Sequence, residues 1–431
     1  MSKDQKKKIL YFVPQFPMLS QTFISREIGK LVEWDNLDIS VLSMSRGTGF
    51  ASQKVLAKTH YQRLSVKICF EALIKYILLR PRKTWQAHRL ISGEDSVPYL
   101  LQLKRKNFDP AADNSVLKRF HRARLVHFFK GVAFARMFEV YKPEHIHCHF
   151  LSDQSTIVMV AAKLLGVPFS VSAHAKDVFV EGSLIPVKAR EAKFIVVCNG
   201  NTWRKTIEFA NLSASSGNVH LLFHGFDYKD AYSKPLSVEK PAITSIFLGG
   251  TRFTKKKGII YMVEASKILR DEGFAHVVNL VGPADDLSTY NEIKDKIKEY
   301  GLEETVIIHG DGKGMPNEKV LEFYRISDIF VFPGIETKEG DVDGVPTVLI
   351  EAALAKLPII STDVGSVGDL IDSTNSIIIP QKDVGAIVDG VKKLTADTAL
   401  SKKLGEAVYI KAEKLFNIDI NVRQLEQMLL D

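Results

Sequence analysis

Two carboxylates, Asp343 and Glu351, stand eight positions apart in Asp343-Gly344-Val345-Pro346-Thr347-Val348-Leu349-Ile350-Glu351-Ala352-Ala353-Leu354-Ala355. The apolar run after Pro346 predicts a helix, and Pro346 suits its first turn, where a missing N–H is not needed. The first amides, at Gly344, Val345 and Thr347, would point outward unpaired and can hold an anion such as phosphate. Glu351 lies about one and a half turns further in, at ~1.5 Å rise per residue. A carboxylate there can accept hydrogen bonds from paired hydroxyls, as on a ribose. The segment can therefore hold both ends of a nucleotide sugar. The same residues would also suit an ordinary amphipathic helix with one satisfied Glu.

A second group lies in Gly249-Gly250-Thr251-Arg252-Phe253-Thr254-Lys255-Lys256-Lys257-Gly258, between a predicted strand and a predicted helix. Arg252 offers a planar fork of donors and Lys257 a point charge, a pair able to neutralise a diphosphate. Lys257, which abuts Gly258, is preferred to Lys255 and Lys256; a solvated basic turn is the alternative. His174, at the end of an apolar strand in Ser172-Ala173-His174-Ala175-Lys176-Asp177, can donate to a sugar hydroxyl or be a satisfied structural histidine; Asp177 can orient the loop. His145, His147 and His149 alternate with apolar residues and so share one strand face, the residue type for zinc. No Cys or carboxylate stands at zinc spacing from them, so no metal is expected. Ser20, Gln21 and Thr22 lie between the first predicted strand and helix, where Ser20 or Thr22 can cap the helix.

In this order the motifs resemble the retaining glycosyltransferases of family 4, a large GT-B group. The acidic pair with seven residues between, Gly-Arg followed by Lys-Gly, and the strand-end His-Ala-x-Asp are the points of likeness. The family usually has Glu at both ends of the pair, where this chain has Asp343, and Thr251 intrudes between Gly250 and Arg252. A Gly-rich loop usual after the first strand is missing. Phe16-Pro17-Met18-Leu19-Ser20-Gln21-Thr22-Phe23 resembles instead the form found in exopolysaccharide and colanic-acid transferases. The resemblance implies an enzyme that moves a hexose-type sugar, with retention, from a UDP- or GDP-linked donor to a glycan or lipid-linked acceptor. It implies catalysis by Arg252, Lys257, His174 and Asp343. Substrate contacts would come from Glu351, Gly344, Val345, Pro346, Thr347, Gly250, Ser20, Gln21, Thr22 and Asp177, with no metal and no cofactor. A nucleotide-sugar epimerase of the same shape, or a catalytically silent membrane-associated binding protein, are the alternatives.

These motifs need strands to carry them. Apolar runs at Ile9–Val13, Leu37–Leu42, Ile146–Cys148, Phe169–Ala173, Phe194–Val197 and Val219–Leu222 alternate with helical spacing. The alternation resumes at Thr244–Leu248, Val277–Val281, Val306–Ile308, Ile329–Phe332, Ile359–Ser361 and Ile377–Ile379. Such alternation predicts α/β architecture with parallel sheets covered on both faces. The 431 residues exceed one core. The expected fold is GT-B: two Rossmann-like doubly wound domains facing across a cleft. They span residues 1–235, acceptor-binding, and 236–415, binding the nucleotide sugar. Asp227–Lys240 is the expected linker, and a terminal helix over about 416–431 is expected to cross back.

Residues from about 50 to 140 read as a basic helical insert broken at Pro81, Pro98 and Pro110. Between Lys54 and Lys130 there are 17 Lys and Arg against 5 Asp and Glu, a net of +12, while the rest of the chain nets −4. The segment Val66–Arg80 is apolar, flanked by cations and too short to span a bilayer, so it suits docking on an anionic membrane surface, or else packing on the first domain with its charges solvated. Nucleic acid is not expected, since no aromatic-interleaved basic groove accompanies the charge. Cys69, Cys148 and Cys198 are scattered and fit a reducing cytosol. The basic start does not read as a signal peptide, and the expected location is cytoplasmic, peripheral on the inner membrane face.

Overall fold

The computed structural model describes residues 6–18, 21–92, 114–179, 182–213, 217–226, 236–237, 239–338 and 343–431, with residues 114–123 described by backbone alone. Ser20, Pro98, Pro110, the expected boundary at 235 and most of the linker lie outside these residues.

The chain divides into two units, Met1–Gly225 with Ile418–Asp431, and Phe226–Asn417. In the first unit the strands of the main sheet are β1 (Lys8–Phe12), β2 (Asp38–Ser43), β3 (Thr59–Tyr61), β4 (His145–His149), β5 (Phe169–Ala173), β6 (Phe194–Val197) and β7 (Val219–Leu221). They form one parallel sheet in the order β3-β2-β1-β4-β5-β6-β7. Leu10 and Phe12 enter the core on one face while Ile9, Tyr11 and Val13 enter that on the other, the period-2 burial of a sheet covered on both sides. The second unit holds β8 (Thr244–Gly249), β9 (His276–Val281), β10 (Val306–His309), β11 (Ile329–Phe332), β12 (Ile359–Thr362) and β13 (Ile377–Ile379), parallel in the order β10-β9-β8-β11-β12-β13. In both sheets the order reverses beside the first strand. Ligands bind such sheets at that reversal, outside the carboxyl ends of the strands. The loops after β1 and β4, and after β8 and β11, stand there.

Helices α1 (Thr22–Trp34), α2 (Gln53–Ala57), α3 (Val66–Ala72), α4 (Pro81–Ser92), α5 (Asn114–Phe138), α6 (Asp153–Leu165), α7 (Ala175–Phe179), α8 (Ile185–Glu191) and α9 (Gly200–Phe209) belong to the first unit. The second unit carries α10 (Ile259–Asp271), α11 (Leu287–Glu299), α12 (Asn317–Ile326), α13 (Thr347–Leu354), α14 (Val384–Ala396) and α15 (Thr398–Phe416), and the closing helix α16 (Ile418–Leu430) returns to the first. Val422, Leu425 and Leu429 of α16 sit in one core with Ile24 and Ile28 of α1. A Cβ on Gly225 would come within 2.2 Å of Ile418 Cα, so the crossing chain passes too close for any side chain there.

The segment expected to be helical from about 50 to 140 also contains β3, which extends the sheet beside β2. The α3 helix runs on as a π-helical stretch over Leu73–Leu78, and α5 packs on α6 so closely that a Cβ on Gly131 would meet Val160 at 2.5 Å. Much of the insert therefore builds the domain.

Candidate active site

In the second unit β8 ends at Gly249, and Gly250 turns the chain at φ +70°. A Cβ on Gly250 would lie 2.9 Å from Tyr324 Oη and 3.3 Å from Val348 of α13, which is how the loop reaches the helix. Lys255–Lys257 form one tight turn closed by Gly258 at φ +65°, where a Cβ would stand 1.8 Å from Pro333 O. Only glycine fits, and the loops after β8 and β11 are thereby locked together.

This geometry separates the three lysines. Lys255 is exposed, while the Lys257 side chain is 8% exposed, with its ammonium 5.3 Å above the Phe332 ring. Lys257 Nζ donates to Asp343 Oδ2 at 2.8 Å, and Lys256 Nζ stands 3.6 Å from Asp343 Oδ1. Burial holds the Lys257 ammonium below the ordinary lysine value, against the pull of Asp343; Lys256 and Arg252 add to the lowering. Arg252 is 55% exposed and reaches Asp285 Oδ2 at 3.2 Å. Glu351 accepts from Tyr324 Oη at 2.9 Å. The α13 helix starts at Thr347, so Pro346 is its cap residue rather than part of its first turn. Thr347 is exposed at that end, beside the half-buried Gly344 and Val345. The loop thus presents clustered cations and a helix start, the means to hold a diphosphate.

In the first unit the histidines of β4 line one sheet face, as their spacing predicts. His145 and His147 share Ser170 Oγ at 2.7 Å, and the other His147 nitrogen meets Ser172 Oγ at 3.0 Å. His149 Nε2 and Tyr11 Oη each lie 3.2 Å from Glu27 Oε1. The carboxylate that sequence spacing lacked is thus supplied by α1. Glu27, His147 and His149 present ligand atoms within 4.8 Å of one another, the one such group among the described residues. Both nitrogens of His147 are already engaged by serines, so an ion would have to displace one of them.

His174 follows β5. Its ring centroid lies 4.8 Å from Phe150, 4.9 Å from Phe23 and 5.0 Å from His224. Both ring nitrogens are shielded and unpartnered, and Nδ1 stands 3.7 Å from Asp177 Oδ1, beyond hydrogen-bond reach. Buried polar atoms without a partner are uncommon in folded proteins, so these two nitrogens call for an explanation. Asp177, expected among the substrate-binding residues, is 1% exposed and faces backbone instead. Its carboxylate accepts from His174 N at 2.9 Å and from Leu151 N, and burial pushes it up to about 6. It holds two loops together. At α1 the cap residue is Gln21, with no side-chain cap bond, and Thr22 lies inside the helix, so of the two residues expected to cap it Thr22 does not, while Ser20 lies outside the described residues.

Residues 230–411 match the family described as Glycosyl transferases group 1. The chain carries a group 1 glycosyltransferase domain. Over 98% of its length and 99% of the relative's, this glycosyltransferase is 24% identical to the amylovoran biosynthesis glycosyltransferase AmsK of Erwinia amylovora. It is 26% identical to the putative colanic acid biosynthesis glycosyltransferase WcaL of Escherichia coli (strain K12), over 45% of this chain and 47% of that one. Among solved structures it resembles Anabaena Alr3699/HepE in complex with UDP, at TM-score 0.63, 12% identity and coverage of 98% and 99%. The glycosyltransferase from Rickettsia africae ESF-5 is similar at TM-score 0.65 and 14% identity, with coverage of 99% and 98%. These likenesses show the fold, a two-domain α/β chain of the GT-B class.

Tyr324 and Asp285 in the second unit, and Glu27 and His224 in the first, are not singled out by sequence motifs. Each reaches its site from a distant part of the chain, and only Glu27, one turn after Phe23 on α1, carries a local signal.

Proposed function

We propose that this chain is a retaining glycosyltransferase that moves a hexose-type sugar from a UDP- or GDP-linked donor to a glycan or lipid-linked acceptor in cell-surface polysaccharide synthesis. The buried Lys257 paired with Asp343, at the carboxyl end of the second unit's sheet, carries this reading. Lys257 and Arg252 stabilise the leaving diphosphate, and such preorganised charge is usually the largest catalytic term. Glu351 takes the ribose. Asp343 takes sugar hydroxyls once the diphosphate competes for Lys257, and His174 offers its unpartnered nitrogens to a sugar hydroxyl. The acceptor proton passes to the leaving phosphate. Arg252, Lys256 and Lys257 supply the positive charge, so transfer needs no divalent metal. The amylovoran relative, alike over nearly all of both chains, and the UDP in the Anabaena protein support the reading.

The test is a panel of UDP- and GDP-sugars offered with and without glycan acceptors in the presence of chelator, with product anomers assigned by NMR. Acceptor-linked product of retained configuration is expected. Donor converted equally well without acceptor would favour the epimerase, and activity restored only by manganese or magnesium would reject metal independence.

Calorimetry separates the two carboxylates. Glu351→Gln should weaken nucleoside diphosphate and nucleotide sugar alike, since a ribose contact exists in both. Asp343→Ala should weaken the nucleotide sugar more; equal losses at Asp343 would contradict its sugar role.

The insert carries the proposal of a peripheral membrane contact. Phe70 is 63% and Leu79 71% exposed, with Leu73, Ile74, Leu78 and Trp85 exposed nearby. Within the same segment Ile77 packs on the core, and Lys75 is bonded to both oxygens of Glu139 at 2.6 and 2.8 Å. Lys67, Arg80, Arg82 and Lys83 are exposed. Among the described residues no helix is long and apolar enough to cross a membrane. Sedimentation with anionic vesicles is expected, weakened by salt and by changing these four cations to Glu, at roughly 1 kcal/mol per cation. Binding that ignores salt, or equal binding to neutral vesicles, would reject it.

A further inference from the structure

One fully buried charge has no part in the chemistry proposed above. Lys188, on α8, is 0% exposed. Its Nζ donates to Leu151 O at 3.0 Å and to Ser152 O at 2.6 Å. A lysine is almost never fully buried without a partner, and its desolvation is costly. A methionine would fill the same space, so the ammonium itself needs a reason.

The reason lies in the loop it holds. Phe150, directly after β4, adopts φ +73°, a left-handed conformation that is strained for a bulky residue and persists only where its surroundings enforce it. Phe150 N is tied to Ser172 O at 2.7 Å, and its ring lies 4.8 Å from that of His174. The next amide, Leu151 N, is held by Asp177, and the next two carbonyls by Lys188. Asp177 also holds His174 N. One acid and one ammonium thus fasten the loops after β4 and β5, which carry the two rings, tilted 39° to each other.

We propose that Lys188, acting with Asp177, is a positioning residue that fixes the Phe150 turn and through it the ring of His174. Asp153 at the start of α6, Cys148 of β4, Asp177 of α7 and His127 of α5 are the titratable groups around it. Burial pushes the Lys188 ammonium down to about 7, against the pull of Asp153, Cys148 and Asp177. A neutral amine keeps two N–H donors, enough for both carbonyls, so the clamp holds on either side of neutrality.

The test uses the full chain labelled at histidine, with the His174 ring resonances assigned by their loss in His174→Gln. In Lys188→Met these resonances should move as the Phe150 ring current is lost, while those of His276 and His309 stay. Turnover should fall ~10²-fold, as expected for a displaced contact, with nucleoside diphosphate binding unchanged. Lys188→Gln, which restores two N–H donors, should recover part of both. If Lys188→Met does not fold, Asp177→Asn, nearly isosteric, decides by the same spectrum. Folded variants whose His174 resonances and turnover match the parent overturn the proposal. The turnover arm rests on the glycosyl-transfer reading and the spectral arm does not. Full turnover in His174→Gln therefore rejects the sugar-contact role of His174 while leaving the clamp to the spectrum.

Discussion

Lowering the pH from 7.5 to 5 should cost the first unit several kcal/mol of stability. Burial holds His145, His147, His174 and His224 below the ordinary histidine value, His224 at about 4 and His145 at about 2. Each is neutral when folded and takes up a proton when unfolded near pH 6.5. Stability from these groups is therefore complete above pH 6.5 and is lost as pH falls toward the folded values. At pH 5 the cost is roughly 2 kcal/mol per histidine, from 1.5 pH units at about 1.36 kcal/mol each. Asp177, raised to about 6, acts oppositely and offsets part of the loss, because its folded form gains a proton first. Lys188, protonated throughout in the unfolded chain and held at about 7 when folded, adds a little to the loss between pH 7.5 and about 6 and nothing below. Against a typical total of about 5–15 kcal/mol, the effect is large. All three tryptophans, Trp34, Trp85 and Trp203, lie in the first unit, so urea unfolding followed by their fluorescence reads it directly. An unchanged midpoint between the two pH values would show that the histidines are hydrated or charged in the folded state.

Lys257→Ala should lower turnover by 10²–10³-fold, about 3–4 kcal/mol of transition-state stabilisation. The lysine sits where water is excluded, so its charge acts on a diphosphate with little screening. Arg252, more than half exposed, should matter less. The loss should appear in kcat as well as kcat/KM, because negative charge on the leaving group grows toward the transition state. Lys257→Arg should rescue poorly. The site is built around a point charge between Asp343 and the Phe332 ring, and a planar fork does not fit that geometry. The substitution leaves Asp343 with Lys256 at 3.6 Å, so the fold should survive, which a thermal melt checks. Near-normal turnover in a folded Lys257→Ala protein would remove Lys257 from the mechanism.

Much of this protein was legible in its sequence. Parallel strands buried on both faces must be apolar runs, and the runs at Phe169–Ala173, Phe194–Val197, Ile329–Phe332 and Ile377–Ile379 coincide with the observed strands. Lys257 could be preferred to its neighbours because the adjacent Gly258 announced a turn that only glycine can make. Helix α15 was missed although Leu404, Val408, Ala412 and Phe416 recur every four residues and Asp397 caps it. A long charged helix reads as polar filler when its buried stripe is one residue wide. The basic insert was misread in part, because a three-residue edge strand has no periodicity of its own and forms only where β2 offers a ladder.

What the sequence determined is local: which segments are strands and helices, where glycine is compulsory, and which residue types stand at strand ends. What the tertiary structure alone decided is which distant side chains meet. Glu27 reaches His149 from 122 positions away, and Lys257 reaches Asp343 from 86. Asp177 is a loop clamp and Lys188 its partner because the folded backbone leaves amides and carbonyls there that water cannot reach. Those groups come into being only with the fold, since an unfolded chain satisfies every one of them with solvent.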